Sequence, residues 1–183
     1  GCRLSVVQTR EPGGAPGAEA LRTLLLGEQF DWSIRAETLL HFAARAEHVE
    51  KTIRPALNAG QWVISDRYFD STMAYQGYGQ GVDRSWIAAL SAAMLAPDLT
   101  IVLDVPDSIG LSRVRRRGQD ADRYERLPPG FHAQVNEGFR EIARQAPARC
   151  VLVSAAGSEE EAHCAVVAAV QKIRGLDPAD LRA

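Results

Sequence analysis

The 183 residues carry 21 Lys and Arg against 23 Asp and Glu, so the net charge is close to zero. This balance does not favour non-specific binding to nucleic acid or to an anionic membrane, and no apolar run approaches the ~20 residues of a membrane span. Three cysteines without the spacing of a zinc or redox motif are typical of a reducing compartment, so we expect a cytoplasmic protein. The length suits a single domain over 1–183.

Segments rich in β-branched and apolar residues alternate with helical patterns along the whole chain. Strands are predicted at 3–9, 62–65, 99–105 and 150–154. Helices are predicted at 18–26, 33–57, 86–95, 108–117, 131–145 and 159–173. This alternation predicts an α/β fold of three layers, in which helices flank a mainly parallel sheet.

Local signals add detail to these elements. Ser33 is a suitable N-cap for the long helix. The apolar stripe of that helix is expected to comprise Leu39, Phe42, Ala46 and Val49. A further helix is expected to begin near residue 71, and Gly77, Gly79 and Gly81 predict a flexible loop after it. The nearly continuous apolar run 99–105 is typical of a strand buried on both faces of a parallel sheet.

The segment SDRY, residues 65–68, follows the second strand at the edge where α/β sheets bind ligands. Asp66 can hold a magnesium ion, often through water, because Mg²⁺ keeps much of its hydration shell. Arg67 can donate two hydrogen bonds to a phosphate. On this dipeptide alone, a surface Asp–Arg pair that caps the next helix is the alternative.

The segment TREPGG, residues 9–14, follows the first strand. Its glycines let backbone N–H groups approach an anion, and Arg10 adds positive charge. A tight turn with a solvated Arg10–Glu11 pair is the alternative interpretation.

Four arginines lie within residues 113–117, and an acidic loop follows them. Because phosphoryl transfer depends largely on positioning and charge neutralisation, this pattern predicts a mobile lid at about 113–129 that closes over polyphosphate. A solvated face or a nucleic-acid patch is the alternative, and the near-neutral net charge disfavours the latter.

The long helix contains the segment HFAAR, residues 41–45. An aromatic residue three or four positions before Arg45 lies on the same helix face, where it can stack on a base while the arginine bonds the base edge. A core phenylalanine beside a solvated arginine is the alternative.

Together these segments resemble one protein family in content and order. TREPGG, FAARAEHV, SDRYFDSTMAYQG and the arginine-rich lid with DRYE are similar to the motifs of bacterial thymidylate kinases. The resemblance spans nearly the whole chain. It implies a P-loop nucleoside monophosphate kinase fold and a cytoplasmic homodimer that uses magnesium and ATP to phosphorylate dTMP to dTDP, with no nucleic-acid or membrane partner.

The resemblance also implies roles for individual residues. Arg67 is expected to hold the dTMP phosphate, with Asp66 near the magnesium and Glu11 as a second metal-site candidate. Arg45 is expected to bond the thymine edge. The remaining substrate-binding candidates are Arg10, Glu11, His41, Phe42, Thr72, Tyr75 and Gln76. The lid candidates for stabilising the transition-state charge are Arg115, Arg117 and Arg123.

Two features depart from the family pattern. The position where the family usually stacks phenylalanine on thymine is His41, and Phe42 follows it, so either ring is a candidate. The P-loop motif G-x-x-x-x-G-K-[ST] does not occur in these residues. We therefore expect the N-terminal strand and P-loop to be absent from this sequence, a gap in the sheet between the strands that end at Asp66 and Asp104, and no activity from the 183 residues alone.

Two other functions remain open from the sequence. One is a kinase for another deoxynucleoside monophosphate, which a substrate panel separates from a thymidylate kinase. The other is a non-catalytic nucleotide-binding module, which is the expected function if the protein itself has no P-loop.

Overall fold

The computed structural model describes residues 4–27, 29–106, 109–110, 123–124 and 126–174. Strands alternate with helices, and both strand pairs are parallel. The predicted α/β architecture with parallel strands and flanking helices is therefore confirmed. The described residues fall into two compact units, which divide between residues 96 and 97.

The first unit contains two strands and five helices. They are β1 (Val6–Arg10), α1 (Pro16–Leu26), α2 (Ile34–His48), α3 (Arg54–Asn58), β2 (Trp62–Asp66), α4 (Phe69–Thr72) and α5 (Arg84–Ala92). Two π-helical segments, Val49–Ile53 and Met73–Gly79, continue α2 into α3 and extend α4. β1 and β2 pair in register from Val6 opposite Trp62 to Arg10 opposite Asp66, so both strands end at the same edge.

The second unit contains β3 (Thr100–Asp104), α6 (Pro129–Gln145), β4 (Cys150–Ser154) and α7 (Glu159–Arg174). β3 and β4 pair from Thr100 opposite Cys150 to Asp104 opposite Ser154. At the end of β3, Arg140 donates from Nε and Nη2 to Asp104 Oδ1, at 3.1 and 2.9 Å. This ion pair ties α6 to the carboxyl end of the strand.

Several predicted boundaries are confirmed. β4 has the predicted limits, and Ser33 is the N-cap of α2, with its side chain accepting from the Ala36 N–H at 3.4 Å. The long helix reaches Asn58, although its middle section is π-helical. The predicted helix 108–117 lies outside the described residues except for 109 and 110.

Three packing predictions are wrong. Leu39 of the expected apolar stripe is 48% exposed, whereas Phe42 packs against Val82 and Ile87. Of the three glycines expected in a loop, Gly77 and Gly79 lie in the π-helical segment, where side chains pack closely on Gly77, and only Gly81 lies outside it. The third strand is not buried on both faces, since Leu103 is 56% exposed and no described element covers it.

Small residues bring α1 against α2, where Ala15, Ala18 and Ala44 form a buried cluster. Ala15 is the N-cap of α1, so the loop that joins β1 to α1 ends against α2. None of the described helices combines the length and the apolar composition needed to cross a membrane.

Candidate active site

The carboxyl ends of β1 and β2 place the predicted site residues of two motifs side by side. Arg10 and Asp66 are register partners, and the Glu11 N–H donates to the Asp66 carbonyl oxygen at 2.9 Å, which extends the ladder by one residue. Because the two strands are parallel, both motifs open onto one edge. The TREPGG and SDRY segments are thus brought together at one edge, as predicted.

The inner face of α2 is polar, although the sequence predicted an apolar stripe there. The buried polar residues of this helix are Glu37, Thr38, Arg45 and His48. Buried charged groups are costly unless they are hydrogen-bonded, so a helix with this face needs partners at every position. Those partners come from β1, from the loop after it, and from the α4 region.

Arg45 is the centre of this polar face and is 2% exposed. Its Nε donates to Glu11 Oε2 at 2.7 Å, and its Nη2 donates to Thr72 Oγ1 at 3.0 Å. Its guanidinium also lies over the rings of Phe42 and Tyr68, at 5.0 and 5.3 Å from their centroids. Nη1 is buried and makes no hydrogen bond within the described part of the chain. A buried donor of this kind is the expected signature of a group that meets a ligand acceptor.

Glu11 has partners on both of its carboxylate oxygens. Oε2 accepts from Arg45, and Oε1 accepts from Nδ1 of His48 at 3.1 Å. The other ring nitrogen of His48 lies 2.7 Å from the Thr9 hydroxyl. Both oxygens of this buried carboxylate therefore hold side chains of α2 in place.

A second buried carboxylate was missed by the sequence analysis. Glu37 Oε1 accepts from Gln76 Nε2 at 3.1 Å and from Gln80 Nε2 at 3.0 Å. An ionised carboxylate only accepts hydrogen bonds, so it orients both side-chain amides. Glu37 and His48 share a helix face with Arg45, and polar residues at that spacing were the signal that could have revealed them.

Asp66 and Arg67 are exposed at the end of β2. Arg67 has a backbone φ of 67°, which is uncommon for a residue with a side chain, and the Ser65 hydroxyl donates to its carbonyl oxygen at 2.8 Å. Its guanidinium lies 5.1 Å above the centroid of the Tyr75 ring. Such backbone conformations concentrate at ligand-binding positions, where the surrounding structure maintains them.

The TREPGG loop binds a carboxylate of the protein itself, that of Glu19. The Gly14 N–H donates to Glu19 Oε1 at 2.8 Å, and Arg10 Nη2 donates to both oxygens of the same carboxylate, at 3.2 and 3.1 Å. The predicted approach of glycine backbone to an anion is therefore present, but Glu19 supplies the negative charge. A cavity of about 370 Å³ lies beside this loop and is lined by residues of β1 with Gly14 and Thr52.

The two candidates for stacking on a base differ in their surroundings. Phe42 is 4% exposed and belongs to the core cluster with Val82 and Ile87, whereas His41 is only partly buried. Of the lid candidates, Arg115 and Arg117 lie outside the described residues, and Arg123 lies in a turn before α6. The described ranges contain no cluster of three or more His, Cys, Asp or Glu side chains that could hold a metal ion.

The ring of Tyr68 packs against the Arg45 guanidinium, and the ionisation of Tyr68 provides a pH-dependent test of this arrangement. Its hydroxyl donates to the Leu95 carbonyl oxygen at 2.9 Å. Burial raises the pKa of Tyr68 to about 12, the Glu11 carboxylate adds to that rise, and the Arg45 and Arg54 cations oppose it.

A raised folded-state pKa means that the folded protein keeps this proton where the unfolded chain loses it, so stability falls as pH rises through that interval. We expect the free energy of unfolding of the wild type to fall from about pH 10 to about pH 12 more steeply than that of Tyr68→Phe. Urea unfolding at a series of alkaline pH values measures both slopes. Equal slopes would show that Tyr68 titrates as it does in water.

Parallel strands that end in arginines and a carboxylate, beside a buried guanidinium, are typical of α/β proteins that bind phosphorylated ligands, and the relatives of this chain are nucleoside monophosphate kinases. The sequence profile of the thymidylate kinase family matches residues 2–166. The chain therefore belongs to the thymidylate kinase family.

Individual relatives agree with this assignment. The chain is 46% identical over 172 residues to a thymidylate kinase of Rhizorhabdus wittichii, covering 91% of this chain and 83% of the relative. It is 45% identical over 184 residues to one of Rhodopseudomonas palustris, covering 97% and 80%. The crystal structure of thymidylate kinase from Ehrlichia chaffeensis superposes with a TM-score of 0.72 at 35% identity, covering 91% and 80% of the two chains.

Proposed function

We propose that this protein transfers the terminal phosphoryl group of ATP to dTMP, giving ADP and dTDP, with Arg45 binding the edge of the thymine base. The observation that carries the proposal is the Arg45 guanidinium, which Glu11 and Thr72 hold in place while its buried Nη1 makes no hydrogen bond to described residues. A base carbonyl oxygen would satisfy this donor. Because Nη1 is closed to water, we expect a neighbouring side chain to move when the base binds.

Further polar groups suited to a pyrimidine base are buried near Arg45. Thr72 and Gln76 are buried beside it, and Glu37 orients the Gln76 amide. His41 is the better candidate for stacking, since the ring of Phe42 is committed to the core. Thymine is thus proposed to lie between His41 and the Thr72–Gln76 face.

The phosphate of dTMP is proposed to bind at Arg67. This side chain is exposed at the edge of β1 and β2, and its guanidinium lies over Tyr75, which would then sit against the sugar. A planar guanidinium can donate two parallel hydrogen bonds to a phosphate and neutralises part of its charge. The acceptor oxygen is then held ready for attack on the γ-phosphorus of ATP, whose bond to the β–γ bridging oxygen breaks.

Magnesium fits this edge through Asp66. An exposed carboxylate beside bound phosphates is the usual protein contribution to a Mg²⁺ site, because the ion keeps several waters. The ion would neutralise negative charge on the phosphates of ATP. Glu11 is the less suitable ligand, since it is 5% exposed and already pairs with the Arg45 cation. The roles of Arg10, Arg115, Arg117 and Arg123 toward the phosphates remain predictions.

A substrate panel tests the proposed function. The full-length enzyme is assayed with ATP and magnesium against dTMP, dUMP, dCMP and dGMP, and the diphosphates are separated by chromatography. We expect dTMP to give the highest kcat/KM. The Arg67→Ala variant, purified in parallel, controls for contaminating host kinases. A higher kcat/KM for dCMP or dGMP would assign the protein to another nucleotide.

A homodimer in the cytoplasm completes the proposal. The resemblance to the family implies the dimer, and α2 presents two large exposed apolar side chains, Ile34 and Leu39, that an interface would cover. Sedimentation of the full-length enzyme at micromolar concentration measures the mass directly, and a monomeric mass would contradict this part.

A further inference from the structure

His48 lies at the centre of a continuous chain of hydrogen bonds, half-buried at Thr9 and buried from His48 to Arg45. The Thr9 hydroxyl lies 2.7 Å from His48 Nε2, His48 Nδ1 lies 3.1 Å from Glu11 Oε1, and Glu11 Oε2 accepts from Arg45 Nε at 2.7 Å. His48 is completely buried. The chain has four residues, and each of its three bonds joins the segment 9–11 to α2 across 34 or more positions of sequence.

The partners of His48 determine where its ring proton lies. An ionised Glu11 carboxylate only accepts hydrogen bonds, so Nδ1 of His48 carries a hydrogen and donates it. Nε2 faces the Thr9 hydroxyl, which can donate or accept. Both ring nitrogens are therefore satisfied, and the imidazole has one orientation in which this is possible.

The TREPGG loop closes over this bond. Gly14 has a φ of 84°, and a Cβ atom at this position would lie 2.4 Å from both His48 Nε2 and Thr9 Oγ1. The Thr52 hydroxyl donates to the Gly14 carbonyl oxygen at 2.6 Å and holds the loop there. The second glycine of the motif is thus required for the backbone to pack on the Thr9–His48 pair, and His48 itself is completely buried.

We propose that His48 is a positioning residue for base recognition, because it fixes the Glu11 carboxylate that orients the Arg45 guanidinium. Arg45 is held at Nε by Glu11 and at Nη2 by Thr72, and these two contacts together set the direction of Nη1. Without the bond from His48, the Glu11 carboxylate can rotate about its terminal torsion while it keeps its charge beside Arg45. Nη1 then loses its direction although the ion pair survives.

This inference rests on the proposed function of Arg45, and it makes a specific kinetic prediction. Loss of the His48–Glu11 bond should weaken dTMP binding and leave the ATP side unchanged. A contact made equally in the ground state and the transition state appears in KM and not in kcat. A residue that only stabilises the fold would instead change all kinetic constants together, or none.

Two conservative variants of the full-length enzyme separate the two bonds of the imidazole. In His48→Asn the side-chain amide nitrogen can occupy the place of Nδ1, which keeps the donor to Glu11 and loses the reach to Thr9. In His48→Gln the longer side chain can reach the place of Nε2, which keeps the contact with Thr9 and loses the donor to Glu11.

We expect KM for dTMP to rise about tenfold in His48→Gln and by less than about threefold in His48→Asn, as for one buried hydrogen bond to a charged group. In both variants kcat and KM for ATP should stay within about threefold of the wild type. Equal KM values for dTMP in the two variants would overturn the proposal. It would also be overturned if the KM values changed in proportion to the loss of thermal stability and not according to which hydrogen bond is kept. If the wild type does not phosphorylate dTMP, the proposed function fails first.

A measurement on the wild type keeps the proposal testable if these variants do not fold. The Nδ1–H proton of His48 is buried and should give an exchange-protected resonance in the NMR spectrum. Because hydrogen-bonded chains polarise one another, dTMP binding at Arg45 should shift this resonance through Glu11, although dTMP does not touch His48. ATP alone should leave it in place. A resonance that dTMP does not move would overturn the proposal.

Discussion

Glu11→Gln is expected to lower the free energy of unfolding by about 3–5 kcal/mol, as for a buried ion pair that loses one partner. Both oxygens of Glu11 accept from N–H donors, one on Arg45 and one on His48. A glutamine amide can accept at only one of these positions and places its own NH₂ against the other donor. It also leaves the Arg45 charge buried without a counter-ion, which is the larger part of the cost.

The matched control for this prediction is Glu50→Gln. Glu50 pairs with Arg54 at 2.8 Å, nearly the same distance as in the Glu11–Arg45 pair, but the two side chains are 63% and 53% exposed. Its loss should cost only about 0.3–0.5 kcal/mol. Urea unfolding of the wild type and both variants measures the difference. If the free energy of unfolding falls by a similar amount in both variants, the buried Glu11–Arg45 pair is no more important for stability than the exposed Glu50–Arg54 pair.

Arg67→Ala is expected to lower kcat/KM for dTMP by an amount equivalent to about 2–4 kcal/mol, through loss of a charge-assisted bidentate contact to the phosphate. Arg67→Lys should recover only part of this loss, because an ammonium group cannot donate two parallel hydrogen bonds from a rigid plane. Steady-state kinetics with dTMP varied at saturating ATP measures both effects.

The position of Arg67 predicts that the same substitution has little effect on folding. Its side chain is exposed, and alanine keeps the Cβ atom that makes a backbone φ of 67° unfavourable, so the substitution leaves that strain unchanged. We therefore expect the thermal stability of Arg67→Ala to remain close to that of the wild type. Near-normal kinetics in this variant would mean that Arg67 does not bind the phosphate and is a surface arginine that stacks on Tyr75.

The elements that short-range rules govern could be predicted from the sequence. Ser33 caps α2 because a serine hydroxyl accepts a backbone N–H wherever it precedes a helix. β4 was predicted with its observed limits because a β-branched run between turn residues needs no distant partner to be recognised. Asp66 and Arg67 were placed at a sheet edge because they follow a strand directly, and the resemblance of the motifs to the family supplied the chemistry.

The partners of the charged groups were decided by the tertiary structure. Glu11 and Arg45 are 34 residues apart, and Glu37 and Gln76 are 39 apart, so nothing in the local sequence assigns them to each other. The sequence predicted the buried face of α2 from its apolar residues, yet Leu39 is exposed and His48 is buried. A polar residue can be buried only where another element brings it a hydrogen-bonding partner, and the packing of β1 and α4 against α2 brings those partners.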